Sequence, residues 1–79
     1  MSTQEKIKQI VAEQLSIAAE EISELDDLQD DLFADSIDMV EIAFAIEREF
    51  SVSLTDEDAQ DLHTIRQIVR YLDALQRNA

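Results

Sequence analysis

The chain has 79 residues, and its 19 acidic residues against 6 Lys and Arg give a formal net charge of −13. A field of this sign repels nucleic acid and anionic lipid and attracts proteins with basic surfaces. The sequence has no Cys, which excludes disulfides, thiolate metal sites and a cysteine nucleophile. We therefore expect one domain over residues 1–79 that does not bind nucleic acid and has no metal site.

The hydrophobic residues argue against a disordered acidic segment. They make up 46% of the chain and recur with helical spacing, whereas disordered acidic segments are poor in them. No apolar run reaches the length of a membrane span, and the N-terminus has neither the secretory-signal nor the transit-peptide pattern. We expect a monomer that does not insert into membranes and is located in the cytoplasm, with a mature form in an organelle as the alternative.

Helix starts recur along the chain as a Ser, Thr or Asp followed three residues later by an acid or amide. The pairs are Ser2 with Glu5, Asp35 with Asp38, Thr55 with Asp58, and Thr64 with Gln67. With the apolar stripes that follow, they predict longer helices over about residues 2–15, 36–50 and 64–77, and a short one over 55–62. The predicted fold class is all-α, a small four-helix bundle with three longer helices and one short helix.

Residues 16–34 form a long connection between the first two helices, and long connections in compact domains tend to be functional. Apolar residues recur in it among seven acids, and we expect them to anchor it to the core, with a turn or two of helix. These anchors are Ile22, Leu25, Leu28 and Leu32.

The second helix has apolar residues on two sides. At about 100° per residue, one stripe forms the expected core face: Met39, Ile42, Ala43, Ile46 and Phe50. The opposite side, called the outer face below, carries Ile37, Val40, Phe44, Glu41, Glu47 and Arg48, with Asp38 at its border. An apolar patch among acids is typical of a transient docking surface. The alternative is that this face packs against another helix of the bundle.

Ser36 begins the second helix between two carboxylates. A serine nucleophile needs a base, and the single histidine, His63, is distant in sequence. As the acceptor of a phosphodiester, however, Ser36 would benefit from the exposed N–H groups and the dipole of a helix N-terminus. Spacing alone leaves open that Ser36 only satisfies backbone N–H groups there.

Residues 35–41, Asp-Ser-Ile-Asp-Met-Val-Glu, resemble the Asp-Ser-Leu-Asp attachment motif of acyl carrier proteins. Residues 32–36 resemble that family's Leu-Gly-Ala-Asp-Ser, residues 45–50 its Ala-Leu-Glu-Glu-Glu-Phe, and residues 56–59 its acidic third helix. The resemblance covers essentially the whole chain. The sequence departs from the family at Phe33 and Ser51, where Gly is usual, at Thr55, where Pro is common, and at Arg48 in the acidic run.

The resemblance implies that Ser36 carries a 4'-phosphopantetheine arm, installed from coenzyme A by a phosphopantetheinyl transferase. The arm's thiol would hold acyl chains as thioesters, so the protein would be a carrier and not an enzyme, most directly in fatty acid biosynthesis. Its partners would include the enzymes of acyl-chain synthesis. Members of the family bind the basic patches of these enzymes through positions that correspond here to Asp35, Ile37, Asp38, Val40, Glu41, Phe44 and Glu47.

Other functions stay open on the residues alone. A carrier dedicated to a polyketide or another specialised acyl product is the alternative within the class, and an unmodified acidic interaction domain is the alternative outside it. A hydrolase that uses Ser36 would lack a base and an oxyanion hole. A calcium loop over residues 27–38 would have Leu32 in place of the required Gly and Asp38 in place of the bidentate Glu.

Overall fold

The structure is a computed structural model that describes residues 2–77. Within that range the helices are α1, Thr3–Leu15; α2, Ser36–Phe50; α3, Asp56–Asp61; and α4, Ile65–Arg77. A 3-10 turn spans Ala19–Glu21, and the β-structure of the described range is limited to one isolated antiparallel bridge between Asp27 and Thr64. The predicted all-α fold, with three longer helices and one short helix, is confirmed.

Each predicted helix start is made by the expected side chain. At α2, Asp35 Oδ1 accepts from the Asp38 N–H at 2.8 Å, and Asp38 Oδ2 accepts from the Asp35 N–H at 3.2 Å. Side-chain oxygens of Ser2, Thr55 and Thr64 likewise accept the N–H three residues on, at the starts of α1, α3 and α4. These bonds satisfy donors that lack a partner within the helix, which is why the starts could be read from the sequence.

The ends of α1 and α2 are built without glycine, which the chain lacks. Ser16 and Ser51 follow these helices in the left-handed conformation, with φ of 58° and 54°, and their N–H groups donate to the carbonyls of Ala12 and Glu47. Glycine is usual here because a Cβ crowds the following carbonyl, at a cost of about 1–2 kcal/mol per residue. The departure noted at Ser51 therefore falls where the backbone itself favours glycine.

The core lies where α1 packs against α2 and α4. Its buried residues are Ile7, Val11, Ala12, Ile22, Leu28, Ala34, Ile42, Ile46, Leu62, Ile65, Ile68 and Leu72. The predicted core stripe of α2 is confirmed, with Ile42 and Ile46 buried and Met39 and Phe50 packed against the core. Fully burying one such aliphatic side chain contributes about 1.5–3 kcal/mol, so this stripe orients α2 and turns its other side outward.

The long connection is anchored as predicted at Ile22 and Leu28, which are 3% and 0% exposed. The expectation for Leu25 is wrong, since this side chain is 60% exposed. The reason is local: Leu25 N–H donates to Ser23 Oγ and Ser23 N–H to Asp26 Oδ2, which bends the backbone into a tight turn with Leu25 on its outside. Apolar character alone could not show that turn.

A side-chain hydrogen bond links the short helix α3 to α4. Tyr71 Oη donates to Asp58 Oδ2 at 2.9 Å. This hydrogen bond is the main reason why the pKa of Asp58 is lowered and the pKa of Tyr71 is raised. Tyr71 packs at the edge of the core and also links α4 to α3 through this bond.

None of the helices in residues 2–77 is long and apolar enough to cross a membrane.

Candidate functional site

Ser36 is the first residue of α2, and its side chain is exposed. The capping bonds at this helix start are made by Asp35 and Asp38, so capping is not the role of the Ser36 hydroxyl. Ser36 Oγ is thus presented to solvent next to the N–H groups of the first turn of α2. This position suits an anionic group bonded to the oxygen, because those N–H groups and the helix dipole stabilise negative charge.

Asp38 fixes the site to the rest of the fold. Its Oδ1 accepts from Gln14 Nε2 of α1 at 3.1 Å, while its Oδ2 serves the cap of α2. The hydrogen bond from Gln14 is the main cause that lowers the pKa of Asp38 below its usual value of 3.8, followed by the one from the Asp35 N–H. Both oxygens are engaged within the chain, so Asp38 positions Ser36. Sequence reasoning missed Gln14, which lies 24 residues away on another helix.

The outer face of α2 is open to solvent. Ile37, Val40 and Phe44 are 71%, 51% and 59% exposed, so the alternative in which this face packs inside the bundle is wrong. Glu41 is exposed beside them, whereas Glu47 is half-buried and its Oε2 accepts from the Leu54 N–H at 2.8 Å. Glu47 thus holds the segment after α2, and the exposed acid of this face nearest Ser36 is Glu41.

The loop that leads to Ser36 is tightly hydrogen-bonded. Asp27 Oδ1 accepts from the N–H groups of Gln29 and Asp30 at 2.9 and 2.8 Å, and the bond from Asp30 is the main cause that lowers the pKa of Asp27. Ala34 N–H then donates to the Leu28 carbonyl at 2.9 Å and closes the loop. One oxygen of the carboxylate that would begin a calcium loop is therefore engaged by two backbone N–H groups.

Phe33 lies in this loop, three residues before Ser36. Its φ is 64°, in the left-handed region, and its side chain is 84% exposed. The reversal at this residue turns the chain so that Ala34 is buried beside Leu28. The sequence marked Phe33 as a departure from the family pattern, and the structure shows that the position requires the backbone conformation glycine prefers.

An open groove of about 460 Å³ begins at Ser36. Its walls come from α2, α3 and the loops next to them: Gln29, Ser36, Met39, Val40, Asp56, Ala59, Gln60 and His63. The fold thus brings His63, distant in sequence, to the same groove as Ser36. The backbone N–H of His63 donates a hydrogen bond to Gln67 Oε1. Among the described residues, no hydrogen bond links the side chains of His63 and Ser36.

The surroundings of Ser36 are acidic. Exposed carboxylates lie on both sides of it along the chain, at Asp30, Asp31, Asp35 and Glu41. No basic residue occurs between Lys8 and Arg48. A negative surface with apolar side chains at its centre favours a partner with a basic rim around an apolar recess.

Comparison with known proteins bears on this arrangement. Residues 5–72 match the protein family described as "Phosphopantetheine attachment site". The chain is 40% identical over 74 residues to the acyl carrier protein of Helicobacter hepaticus, covering 94% of this chain and 97% of that protein. A solved structure of the acyl carrier protein from Enterococcus faecalis matches with a TM-score of 0.68 at 35% identity, covering 90% of this chain and 95% of that one.

Proposed function

This chain belongs to the phosphopantetheine-bearing acyl carrier proteins, and from that premise we propose that Ser36 is the residue that bears its 4'-phosphopantetheine. The cofactor is covalent in this family, and the protein is a carrier rather than an enzyme. The supporting observation is the place of Ser36, an exposed hydroxyl at the N-terminus of α2 that opens on the 460 Å³ groove. The neighbouring Asp35 caps the helix, so the Ser36 hydroxyl does not serve as the cap.

The attachment reaction makes one bond to Ser36. Its Oγ bonds to the phosphorus that carries pantetheine in coenzyme A, the phosphoanhydride bond breaks, adenosine 3',5'-bisphosphate leaves, and the hydroxyl proton passes to a base of the transferase. Asp35 and Asp38 hold the helix start through backbone N–H groups while the new phosphodiester gains the favourable field of α2. The attached group supplies the thiol that carries acyl chains, since the chain has no Cys.

The groove suits the arm chemically. Gln29, Gln60 and His63 offer side-chain hydrogen-bonding groups for amides and a phosphodiester, and Met39 and Val40 offer apolar contact. A groove lined by both kinds of group is what an extended chain of amides and methylene groups requires.

The site assignment is tested by Ser36→Ala. The apo protein is incubated with coenzyme A and a broad-specificity phosphopantetheinyl transferase, and its intact mass is measured. We expect one added arm on the wild type and on the control Ser53→Ala, and none on Ser36→Ala. Circular dichroism should show the same helices, because Asp35 makes the cap and the substitution should change stability by only about 0.5 kcal/mol. A modified Ser36→Ala protein would place the arm elsewhere.

We further propose that the acyl chains are those of fatty acid biosynthesis in the cytoplasm, with docking through the outer face of α2. Support comes from the motif resemblance along the whole chain and from the exposure of Ile37, Val40 and Phe44 among acids. The loaded carrier should be elongated by purified fatty acid synthesis enzymes. Loading and elongation by the enzymes of a specialised pathway alone would favour the alternative of a dedicated carrier.

A further inference from the structure

We infer that Phe33 is a docking anchor for the phosphopantetheinyl transferase, and that its ring enters an apolar recess with a basic rim on that enzyme. The inference rests on the proposed attachment at Ser36. It concerns a residue outside the outer face of α2, in the loop on the other side of the attachment point.

The Phe33 side chain does nothing for the core. At 84% it is the most exposed of the large hydrophobic side chains in the described residues, ahead of Ile37 at 71%. A solvent-exposed aromatic ring forgoes the stabilisation that burial would give it. Single exposed apolar residues are common, so exposure alone does not assign a role.

The backbone conformation at Phe33 is a second feature that disfavours phenylalanine at this position. Its φ of 64° is unfavourable for any residue with a Cβ, and the loop's closing hydrogen bond, Ala34 N–H to the Leu28 carbonyl, involves no atom of the Phe33 side chain. Glycine would make the same turn without strain. Neither the packing nor the turn requires an aromatic side chain at this position, so the exposed ring is the feature that points to a role outside the fold.

The occupant follows from the geometry of attachment. An enzyme that bonds a group to Ser36 Oγ must bring its active site to that oxygen and therefore covers the residues on either side. Three peptide units separate Phe33 from Ser36, so their Cα atoms lie within about 11 Å of each other. Enzymes that act on the thiol at the far end of the arm have no such requirement, which singles out the transferase.

Charge sets the chemistry of the recess. Asp30, Asp31 and Asp35 flank Phe33 closely in the chain, and all three are exposed. An apolar pocket that accepts the ring must therefore be bordered by Lys or Arg of the transferase. Aromatic residues that are fully buried at the centre of such an interface commonly dominate its affinity.

The test compares transfer kinetics for apo wild type, Phe33→Gly, Phe33→Asn and Phe33→Leu with one purified broad-specificity transferase and saturating coenzyme A. Gly and Asn both accept the left-handed backbone without the ring, and Leu keeps an apolar side chain. We expect kcat/KM for the carrier to fall about tenfold for Gly and Asn, mainly through KM, and to fall less for Leu. The control Leu25→Ala, at another exposed apolar position, should match wild type.

Stability separates this role from a structural one. Phe33→Gly and Phe33→Asn should melt no lower than wild type, because the ring is exposed and the strain is relieved. Equal kcat/KM for wild type, Phe33→Gly and Phe33→Asn would overturn the anchor role of Phe33 and leave the attachment at Ser36 intact. A lower kcat/KM for Phe33→Gly alone would assign the effect to loop flexibility and would also overturn the anchor role. Self-association of wild type that Phe33→Gly abolishes would assign the ring to a second copy. An unmodified wild type would instead refute the proposed function itself.

Discussion

The two oxygens of the Asp38 carboxylate make different hydrogen bonds: Oδ2 caps α2, and Oδ1 accepts from Gln14 of α1. Both hydrogen bonds favour the ionised form, so the pKa of Asp38 in the folded protein lies below its usual value of 3.8. A carboxyl whose folded-state pKa is lowered stabilises the fold above its unfolded-state pKa. That contribution is complete above about pH 5 and is lost as the pH falls through the folded-state pKa, so this contact protects the Ser36 end of α2 at neutral pH.

Removing the Gln14 amide should raise the pKa of Asp38. We expect Gln14→Ala to move it toward 3.8, because the largest of its stabilising hydrogen bonds is lost, and NMR titration of the Asp38 carboxyl carbon measures it. The control Gln9→Ala removes an exposed amide side chain from the same helix and should leave the pKa of Asp38 as it is in wild type. If the two variants titrate alike, the cap from Asp35 alone holds the pKa low.

At the scale of elements, local patterns were readable from the sequence and contacts between distant segments were not. The two faces of α2 follow from helical periodicity, and its start follows from Asp35 and Asp38, so both could be predicted. The hydrogen bond from Gln14 and the presence of His63 in the groove depend on how separate elements pack, and no short-range signal marks either. Ser36 itself was found through its motif, because spacing alone left it a helix-start serine.

The two kinds of side chain on the outer face of α2 should act on different rate constants of docking. Glu41→Gln should slow association with the transferase at low salt and approach wild type at high salt, because screened charges act mainly on encounter. Phe44→Ala should speed dissociation at every salt concentration, weakening binding by about 1–3 kcal/mol if the ring is buried in the complex. Stopped-flow binding across a salt series measures both constants.

Two controls accompany that measurement. Glu20→Gln removes an exposed acid from the 3-10 turn and should leave both rate constants close to wild type. Phe44→Ala should keep the melting temperature, since the ring is 59% exposed. If Glu41→Gln and Phe44→Ala changed the same rate constant with the same salt dependence, the acidic and apolar side chains of this face would not have separate roles in docking.

For the whole molecule, charge repulsion is the dominant electrostatic feature. A net charge of −13 is confined to a body of 33 × 26 × 20 Å. The ion pairs in the described residues, Lys6 with Glu49 at 3.8 Å and Arg66 with Glu24 at 3.6 Å, join exposed or half-exposed side chains and offset little of it. Since the Debye length is about 10 Å at 0.1 M salt, many of the acids repel one another at low ionic strength.

Screening should therefore stabilise the fold. We expect the melting temperature to rise between low and moderate NaCl, and to rise with millimolar Mg²⁺, as followed by circular dichroism. The double variant Glu13→Gln/Asp61→Asn removes two exposed acids near helix C-termini, where negative charge is unfavourable. It should melt higher than wild type at low salt and respond less to added salt. A wild-type melting temperature that is independent of salt would show that the acids are too well solvated to matter.

The contact between Tyr71 and Asp58 gives the protein a built-in optical probe. The chain has one Tyr and no Trp, so its longest-wavelength ultraviolet absorption and its emission both come from this one ring. The phenol donates to a carboxylate on α3, and a carboxylate that accepts the phenolic proton quenches tyrosine fluorescence. The emission intensity thus reports whether α3 lies against α4, and movements of α3 during loading of the carrier can be followed without attaching a dye.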